Sequence, residues 1–102
     1  MRWHVAIASV EKDDAIAGML EIASGGLATS GDARRFLLKD GVRYSHILNP
    51  RTGWPVMHAP RSVTVAAPLC VEAGMVATLA ILQGKGAEKF LKREGARAWC
   101  IR

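Results

Sequence analysis

The spacing of apolar and polar residues divides the chain into an early part rich in strands and a late part with two helices. A period of two predicts strands over residues 3–10, 34–38 and 61–67. For residues 15–22 the sequence is compatible with either a helix or a strand, because Ala, Met and Leu favour a helix while an internal glycine weakens one. The charged residues 11–14 between these segments can form a short helical turn.

The late part has the spacing of helices. Apolar residues recur at helical intervals over residues 70–83, and Gly84 is well placed to end that helix. A shorter helix is predicted over residues 86–94, with Gly95 as its stop, and residues 96–101 close the chain as a strand. This order predicts an α+β fold, with a mixed or antiparallel sheet and two C-terminal helices.

The richest polar segment lies in the middle of the chain. Asp40-Gly41 predicts a type I′ hairpin turn whose return strand covers residues 43–48. A rigid loop follows, built from Asn-Pro and Thr-Gly turn formers, within the segment 44–56 that also holds a histidine and an arginine. Rigid loops at strand ends often carry binding residues, although a simple turn between two strands explains the same pattern.

Small residues and hydroxyls fill a second segment, residues 27–32. Such a stretch allows a ligand or another backbone to approach closely. The alternative is a short strand followed by a turn in which Asp32 bonds the backbone two or three residues further on.

Composition narrows the class of protein. The chain has 102 residues, half of them apolar, and a net charge of +5, which predicts one domain over residues 1–102. The basic residues are scattered, so a nucleic-acid surface is not predicted.

Cys70 and Cys100 lack metal-ligand spacing and are expected to be buried free thiols, or a disulfide in an oxidising compartment. No signal peptide or membrane-spanning run is present, so the chain as written is expected to be cytoplasmic.

Three blocks resemble one known family. Ala28-Thr29-Ser30-Gly31-Asp32, then Tyr44-Ser45-His46-Ile47-Leu48-Asn49-Pro50-Arg51-Thr52-Gly53, then Ser62-Val63-Thr64-Val65 are similar to ApbE sequences in order and spacing. These are flavin transferases, formerly called thiamine biosynthesis lipoproteins. The resemblance covers nearly the whole chain but only the C-terminal portion of the family's domain, so it implies a truncated ApbE-like domain.

The resemblance implies an activity and its cofactors. Family members are FAD:protein FMN transferases, which split FAD and attach FMN through a phosphoester to a threonine of an acceptor protein. They use a divalent metal, usually Mg²⁺, and are typically periplasmic or membrane-anchored. The implied ligands and partners are therefore FAD, Mg²⁺ and an acceptor protein.

The resemblance also assigns roles to residues. His46 matches the histidine implicated in the transfer, and Thr78 matches a threonine metal ligand. The flavin side of the site is matched by the residues Thr29, Asp32, Ile47, Leu48 and Arg51.

The residues themselves leave alternatives open. The ring of His46 either faces an open pocket or is buried and bonded within the loop. Arg51 either meets a phosphate or pins the loop to a backbone carbonyl or to Asp32. Thr78 either binds metal or bonds a backbone carbonyl one helical turn back.

Two departures from the family pattern shape the functional expectation. Gly74 stands where the family has an aspartate, four residues before Thr78, and glycine supplies no metal ligand. Glu72 is expected to face another side of the helix. The family's N-terminal portion is absent from the chain as written, which is expected to expose sheet edges and favour a homo-oligomer.

The predicted function is therefore a truncated and catalytically impaired ApbE-like protein. The alternatives are a non-enzymatic flavin- or nucleotide-binding or structural oligomeric module, and one half of a split flavin transferase.

Overall fold

A computed structural model describes residues 2–12 and 15–102. Its strands are β1 (Trp3–Ala8), β2 (Ile16–Ile22), β3 (Gly26–Gly31), β4 (Phe36–Lys39), β5 (Val42–Ser45), β6 (Ser62–Ala67) and β7 (Arg97–Ile101). Its helices are α1 (Cys70–Leu82) and α2 (Ala87–Arg93), with a short 3₁₀ turn at Gly84–Gly86 between them. The predicted α+β fold, with antiparallel strands and two late helices, is confirmed.

The core of the molecule is a three-stranded antiparallel sheet with β6 in its centre. Thr64 of β6 lies opposite Thr29 of β3 and Trp99 of β7. Val63 and Val65 point from β6 towards the helices and are almost completely buried. The β-branched residues of β6 suit this central position, because they pack well on a pleated surface that is covered on both faces.

Helix α1 lies very close to this sheet. Its inner face consists of small residues, with Ala73, Ala77 and Ala80 fully buried beside Ile81. A Cβ added to Gly26 of β3 would lie 2.4 Å from the Cα of Cys70, so glycine is needed at that point of closest approach. Helix α1 can therefore approach the sheet this closely because the residues between them have small side chains or none.

Two antiparallel hairpins extend from this core. The β1–β2 hairpin has a register shift between Ile7 and Ala8. The β4–β5 hairpin turns at Asp40 and Gly41, whose φ values of 52° and 77° are the two positive angles of the predicted type I′ turn. All four residues of β4 are exposed.

Several boundaries differ from the sequence predictions. Residues 16–22 form a strand, which resolves the ambiguity in that segment. The return strand of the β4–β5 hairpin ends at Ser45 rather than Leu48, because the Ser45 hydroxyl accepts the N–H of Ile47 at 3.0 Å and bends the chain. Of the predicted helical turn at residues 11–14, residues 13 and 14 lie outside the described residues, and residues 11 and 12 form a bend.

The cysteines are free thiols, but the expectation that both are buried was wrong. Cys70 is exposed at the start of α1, whereas Cys100 is half-buried in β7. Burial raises the pKa of the Cys100 thiol above its ordinary value. Neither α1 nor α2 is long and apolar enough to cross a membrane.

Candidate functional site

The loop after β5 is closed by its own backbone hydrogen bonds. Val56 donates its N–H to the carbonyl of Ile47 at 3.0 Å, and Asn49 donates to the carbonyl of Trp54 at 2.8 Å. Gly53 then donates to the carbonyl of Asn49 at 2.8 Å, with a φ of 75° that favours glycine. The loop is therefore a small, ordered hairpin, as its turn formers predict.

Leu48 lies in this loop with a free backbone edge. It forms an antiparallel β-bridge with Pro55, and this pair lies between the Val56–Ile47 and Asn49–Trp54 hydrogen bonds. In an antiparallel arrangement, such a residue directs its N–H and C=O away from the partner strand. Neither group makes a hydrogen bond within residues 2–12 and 15–102, so Leu48 presents an unused donor and an unused acceptor side by side.

The neighbouring residue Ile47 contributes in a different way. Its N–H is taken by the buried Ser45 hydroxyl and its carbonyl by Val56. Its side chain packs against the hydrophobic core. Ile47 therefore anchors the loop. Of the two residues predicted to lie near a flavin, Ile47 and Leu48, only Leu48 has backbone groups available to a ligand.

The ring of His46 is exposed and held by one hydrogen bond. Its Nδ1 lies 3.0 Å from the backbone carbonyl of Arg35, just before β4. Because a carbonyl can only accept, Nδ1 carries the proton, and in the neutral ring Nε2 has the free lone pair. The ring thus combines features of both alternatives, since it is bonded to the backbone yet open to solvent.

Asp32 contacts the β4–β5 hairpin and does not bond the backbone of the turn that follows it. Its backbone carbonyl accepts from Arg43 Nη2 at 2.8 Å, and its Oδ1 lies 3.6 Å from Arg43 Nε. The same guanidinium lies over the ring of Phe36, 3.7 Å from its centroid. The alternative in which the Asp32 side chain bonds the local backbone was therefore wrong, and its ionic partner, Arg43, was missed.

Arg51 has no such anchoring role. Its backbone N–H donates to Asn49 Oδ1 at 2.9 Å, which stabilises the turn. Its exposed guanidinium makes no hydrogen bond or ion pair with any described residue, so the alternative in which it pins the loop was wrong.

Thr29 and Thr78 lie on opposite faces of the sheet. Thr29 Oγ1 is 2.9 Å from Thr64 Oγ1, on the face away from α1. Thr78 Oγ1, on α1, donates to Ser30 Oγ at 3.4 Å. The expected bond from Thr78 to a carbonyl one turn back was wrong, and Ser30 is a site neighbour that was missed. Strand alternation could have found it, because Ser30 shares the inward face of β3 with Ala28.

The donors around Thr78 do not fit Mg²⁺. Gly74, one turn earlier on α1, lies against Ala28, where an added Cβ would be 3.8 Å from the Ala28 Cβ. The described residues hold no cluster of three or more His, Cys, Asp or Glu side chains that could bind a metal. Two neutral hydroxyls, Thr78 and Ser30, remain, whereas Mg²⁺ sites are normally built on carboxylates.

The loop lies at the C-terminal end of α1. A cleft of about 330 Å³ is lined by Pro50 and Arg51 of the loop and by Leu79 and Leu82 of the helix. A second cleft, of about 420 Å³, separates the loop from the 3₁₀ turn. His46 lines neither cleft, and its ring lies on the hairpin side of the loop beside Arg35.

Comparison with known proteins decides the family. Residues 1–100 match the model of the ApbE family. The chain belongs to this family. The FAD:protein FMN transferase of Escherichia coli K12 is 38% identical over 101 residues, which cover 97% of the chain and 29% of that relative.

Solved ApbE structures have the same shape over this region. The ApbE protein of Thermotoga maritima is 33% identical and matches 97% of the chain with a TM-score of 0.80, over 33% of its own length. The flavinyl transferase ApbE of Pseudomonas stutzeri, in its apo form, is 32% identical and matches 98% of the chain with a TM-score of 0.78, over 31% of its own length. The chain thus spans about a third of the ApbE proteins it resembles.

Proposed function

We propose that this ApbE-family chain binds flavin through the loop that contains Leu48 and is impaired in the metal-dependent transfer of FMN from FAD to a protein threonine. The observation that carries the proposal is the contrast between two parts of the site. The loop offers unused hydrogen-bonding groups, whereas α1 lacks the carboxylate that the transfer reaction requires in the family.

The unused edge of Leu48 suits the imide edge of a flavin ring. That edge has an N–H donor flanked by carbonyl acceptors, so it can pair with a backbone C=O and N–H that lie side by side. His46 lies two residues earlier, with no bond to its Nε2 among the described residues, and Arg51 offers a phosphate a guanidinium that is likewise unpaired within that part of the chain. In a complete site, the His46 lone pair would receive the proton of the attacking hydroxyl.

The α1 side of the site, by contrast, lacks the charged groups that the transfer reaction needs. Phosphoryl transfer depends on positioning and on neutralising charge, which a metal ion held by carboxylates normally supplies. Thr78 and Ser30 carry no charge, and Gly74 contributes no donor atom. The part of the family reaction that requires charge neutralisation is therefore the part this chain lacks.

A titration of FAD and FMN in the presence and absence of Mg²⁺ tests both statements. Flavin fluorescence and calorimetric heat should show that both flavins bind equally well with and without the metal. Tight FAD binding that depends on Mg²⁺ would contradict the proposed impairment. If neither flavin binds, the proposed role of the loop is wrong.

A restored carboxylate provides the matched comparison. Gly74→Asp places a carboxylate one helical turn before Thr78, in a position where the Cβ has ordinary contact distance. We expect this variant to gain Mg²⁺-dependent heat in the FAD titration. Gly74→Asn has nearly the same shape without the charge, and it should behave like the original chain.

A further inference from the structure

Arg102, the residue after β7, bonds three separate parts of the chain. Its Nε and Nη2 donate to the two carboxylate oxygens of Glu88 on α2, at 2.7 and 2.6 Å. Its Nη1 donates to the backbone carbonyl of His58 at 2.8 Å, and Nη2 also donates to that of Lys85 at 3.1 Å. One guanidinium therefore connects the end of the loop, the 3₁₀ turn and α2.

The double hydrogen bond to Glu88 fixes the direction of the guanidinium. A planar guanidinium that meets a carboxylate through two hydrogen bonds has little freedom to turn. It therefore holds the carbonyls of His58 and Lys85 in a set position relative to each other. His58 lies on the loop side and Lys85 on the turn side of the cleft of about 420 Å³, so Arg102 connects the two walls of this cleft.

The backbone of His58 is strained at this junction. Its φ of 61° lies in the left-handed region, which residues other than glycine rarely adopt. Such a conformation persists only where surrounding contacts hold it. The hydrogen bond from Arg102 is made to the carbonyl of this strained residue, so its loss is expected to release the end of the loop.

A second contact holds the same part of the loop. The carbonyl of Met57, the residue before His58, lies so close to Gly84 of the 3₁₀ turn that an added Cβ would be 2.9 Å from it. The return arm of the loop, residues 54–58, thus meets the turn at two neighbouring carbonyls. Only the contact at His58 is made by a side chain, so a substitution of Arg102 can remove it without altering the backbone.

The return arm in turn holds the part of the loop that contains Leu48. Backbone hydrogen bonds made by Val56 and Trp54 join the two arms on either side of Leu48. The direction of the unused N–H and C=O of Leu48 therefore depends on where the return arm lies. A small displacement matters because a hydrogen bond weakens steeply as its angle departs from a straight line.

We propose that Arg102 is a positioning residue for the flavin-binding loop, which fixes the return arm against the 3₁₀ turn and so directs the Leu48 edge at the flavin imide. This inference rests on the proposed binding of flavin by the loop. Arg102 lines neither of the two clefts beside the loop. It therefore acts through the loop and not through contact with the flavin.

Titration of the chain with FMN and with riboflavin, which lacks the phosphate, tests the positioning role. Arg102→Ala should weaken the binding of both ligands by the same factor, about 3- to 10-fold, because both carry the imide edge. A loss confined to FMN would show that Arg102 instead attracts the phosphate, and it would overturn the proposal. Arg97→Ala is the control, because it removes the same charge from an exposed position of β7 and should leave both affinities unchanged.

Amide hydrogen exchange measures the position of the loop without any ligand. In Arg102→Ala, the bonded amides of Asn49, Gly53 and Val56 should exchange about 3- to 10-fold faster, while the amides of α1 keep their rates. Arg102→Lys keeps the charge but lacks the planar fork of donors, so its loop should exchange nearly as fast as that of the alanine variant. Full rescue by lysine would contradict the proposed geometry.

The two measurements separate a failure of this inference from a failure of the proposed function. If the original chain binds neither flavin, the functional proposal is wrong, and the exchange rates still decide whether Arg102 holds the loop. Unchanged loop exchange in Arg102→Ala would overturn the positioning role. Faster exchange with unchanged affinity for both flavins would overturn it as well.

Discussion

The helix-covered sheet and the β4–β5 hairpin are both antiparallel, yet they are stabilised in different ways. In the sheet, β6 is buried on both faces and contacts alanines on the inner face of α1. In the hairpin, β4 is exposed throughout, and side-chain contacts from Arg43 attach the hairpin to the residue after β3. The sheet therefore provides the stability of this chain, whereas the hairpin and the adjoining loop provide accessible polar groups.

The largest expected difference between the two regions comes from truncating a core side chain. Ile81→Ala removes a fully buried side chain from the sheet–helix contact and should reduce the free energy of unfolding by about 2–5 kcal/mol. Leu38→Ala in the hairpin should change it by less than about 0.5 kcal/mol. Urea denaturation measures both. Similar losses at the two positions would show that the hairpin is as well packed as the core.

A pair of glycines tests the close approach of β3 to α1. Gly26→Ala forces a Cβ to within 2.4 Å of Cys70 backbone atoms and should cost about 1–3 kcal/mol. Gly18→Ala, in the β1–β2 hairpin, adds a Cβ with no neighbour within 4 Å and should be close to neutral. Thermal unfolding of the two variants provides the comparison, and an equal response would contradict the tight fit at β3.

Removing the anchor of the β4–β5 hairpin should have a more local effect. Arg43→Ala deletes the bond to the Asp32 carbonyl and the contact with Phe36, at a cost of about 1–2 kcal/mol. Amide hydrogen exchange should speed up in β4 and β5 while β6 stays protected. Arg51→Ala is the control, because that guanidinium makes no hydrogen bond or ion pair with a described residue. An acceleration spread evenly over the chain would argue against local anchoring.

The smallest effect is expected at the ion pair between Glu88 of α2 and Arg102, the residue after β7. Hydrogen bonds from Arg102 lower the pKa of Glu88, so the pair contributes stability above the ordinary glutamate pKa and loses it as pH falls through the lowered value. Both side chains are about half exposed, which limits the contribution to less than about 1 kcal/mol. Glu88→Gln should lower the urea midpoint near neutral pH and leave it unchanged in strong acid. A deficit that persists in acid would rule out the ionised pair as its cause.

Periodicity predicted β6, β7 and both helices, but it left residues 15–22 open and did not predict how the strands pair. The burial of β6 follows from its β-branched residues, and Asp40-Gly41 specifies its own turn. These features depend on neighbours in the sequence, so a single chain contains the information needed to find them.

The side-chain partners were harder to predict because they depend on distant residues. Asp32 pairs with Arg43 rather than Arg51, a choice determined by where the β4–β5 hairpin lies. Thr29 and Thr78 both fall in segments that resemble the family's site, but the sheet separates them. The free edge of Leu48 arises only once Ser45 ends β5 and the loop closes.

The most direct test of the proposed flavin-binding loop and the impaired metal site is a ¹H–¹⁵N spectrum of the chain, titrated with FMN and then with Mg²⁺. FMN should shift the Leu48 amide and its neighbours in the loop, and subsequent Mg²⁺ should leave the Gly74 and Thr78 amides in place. Metal-dependent shifts at Gly74 and Thr78, or an unchanged Leu48 amide at saturating FMN, would contradict the account.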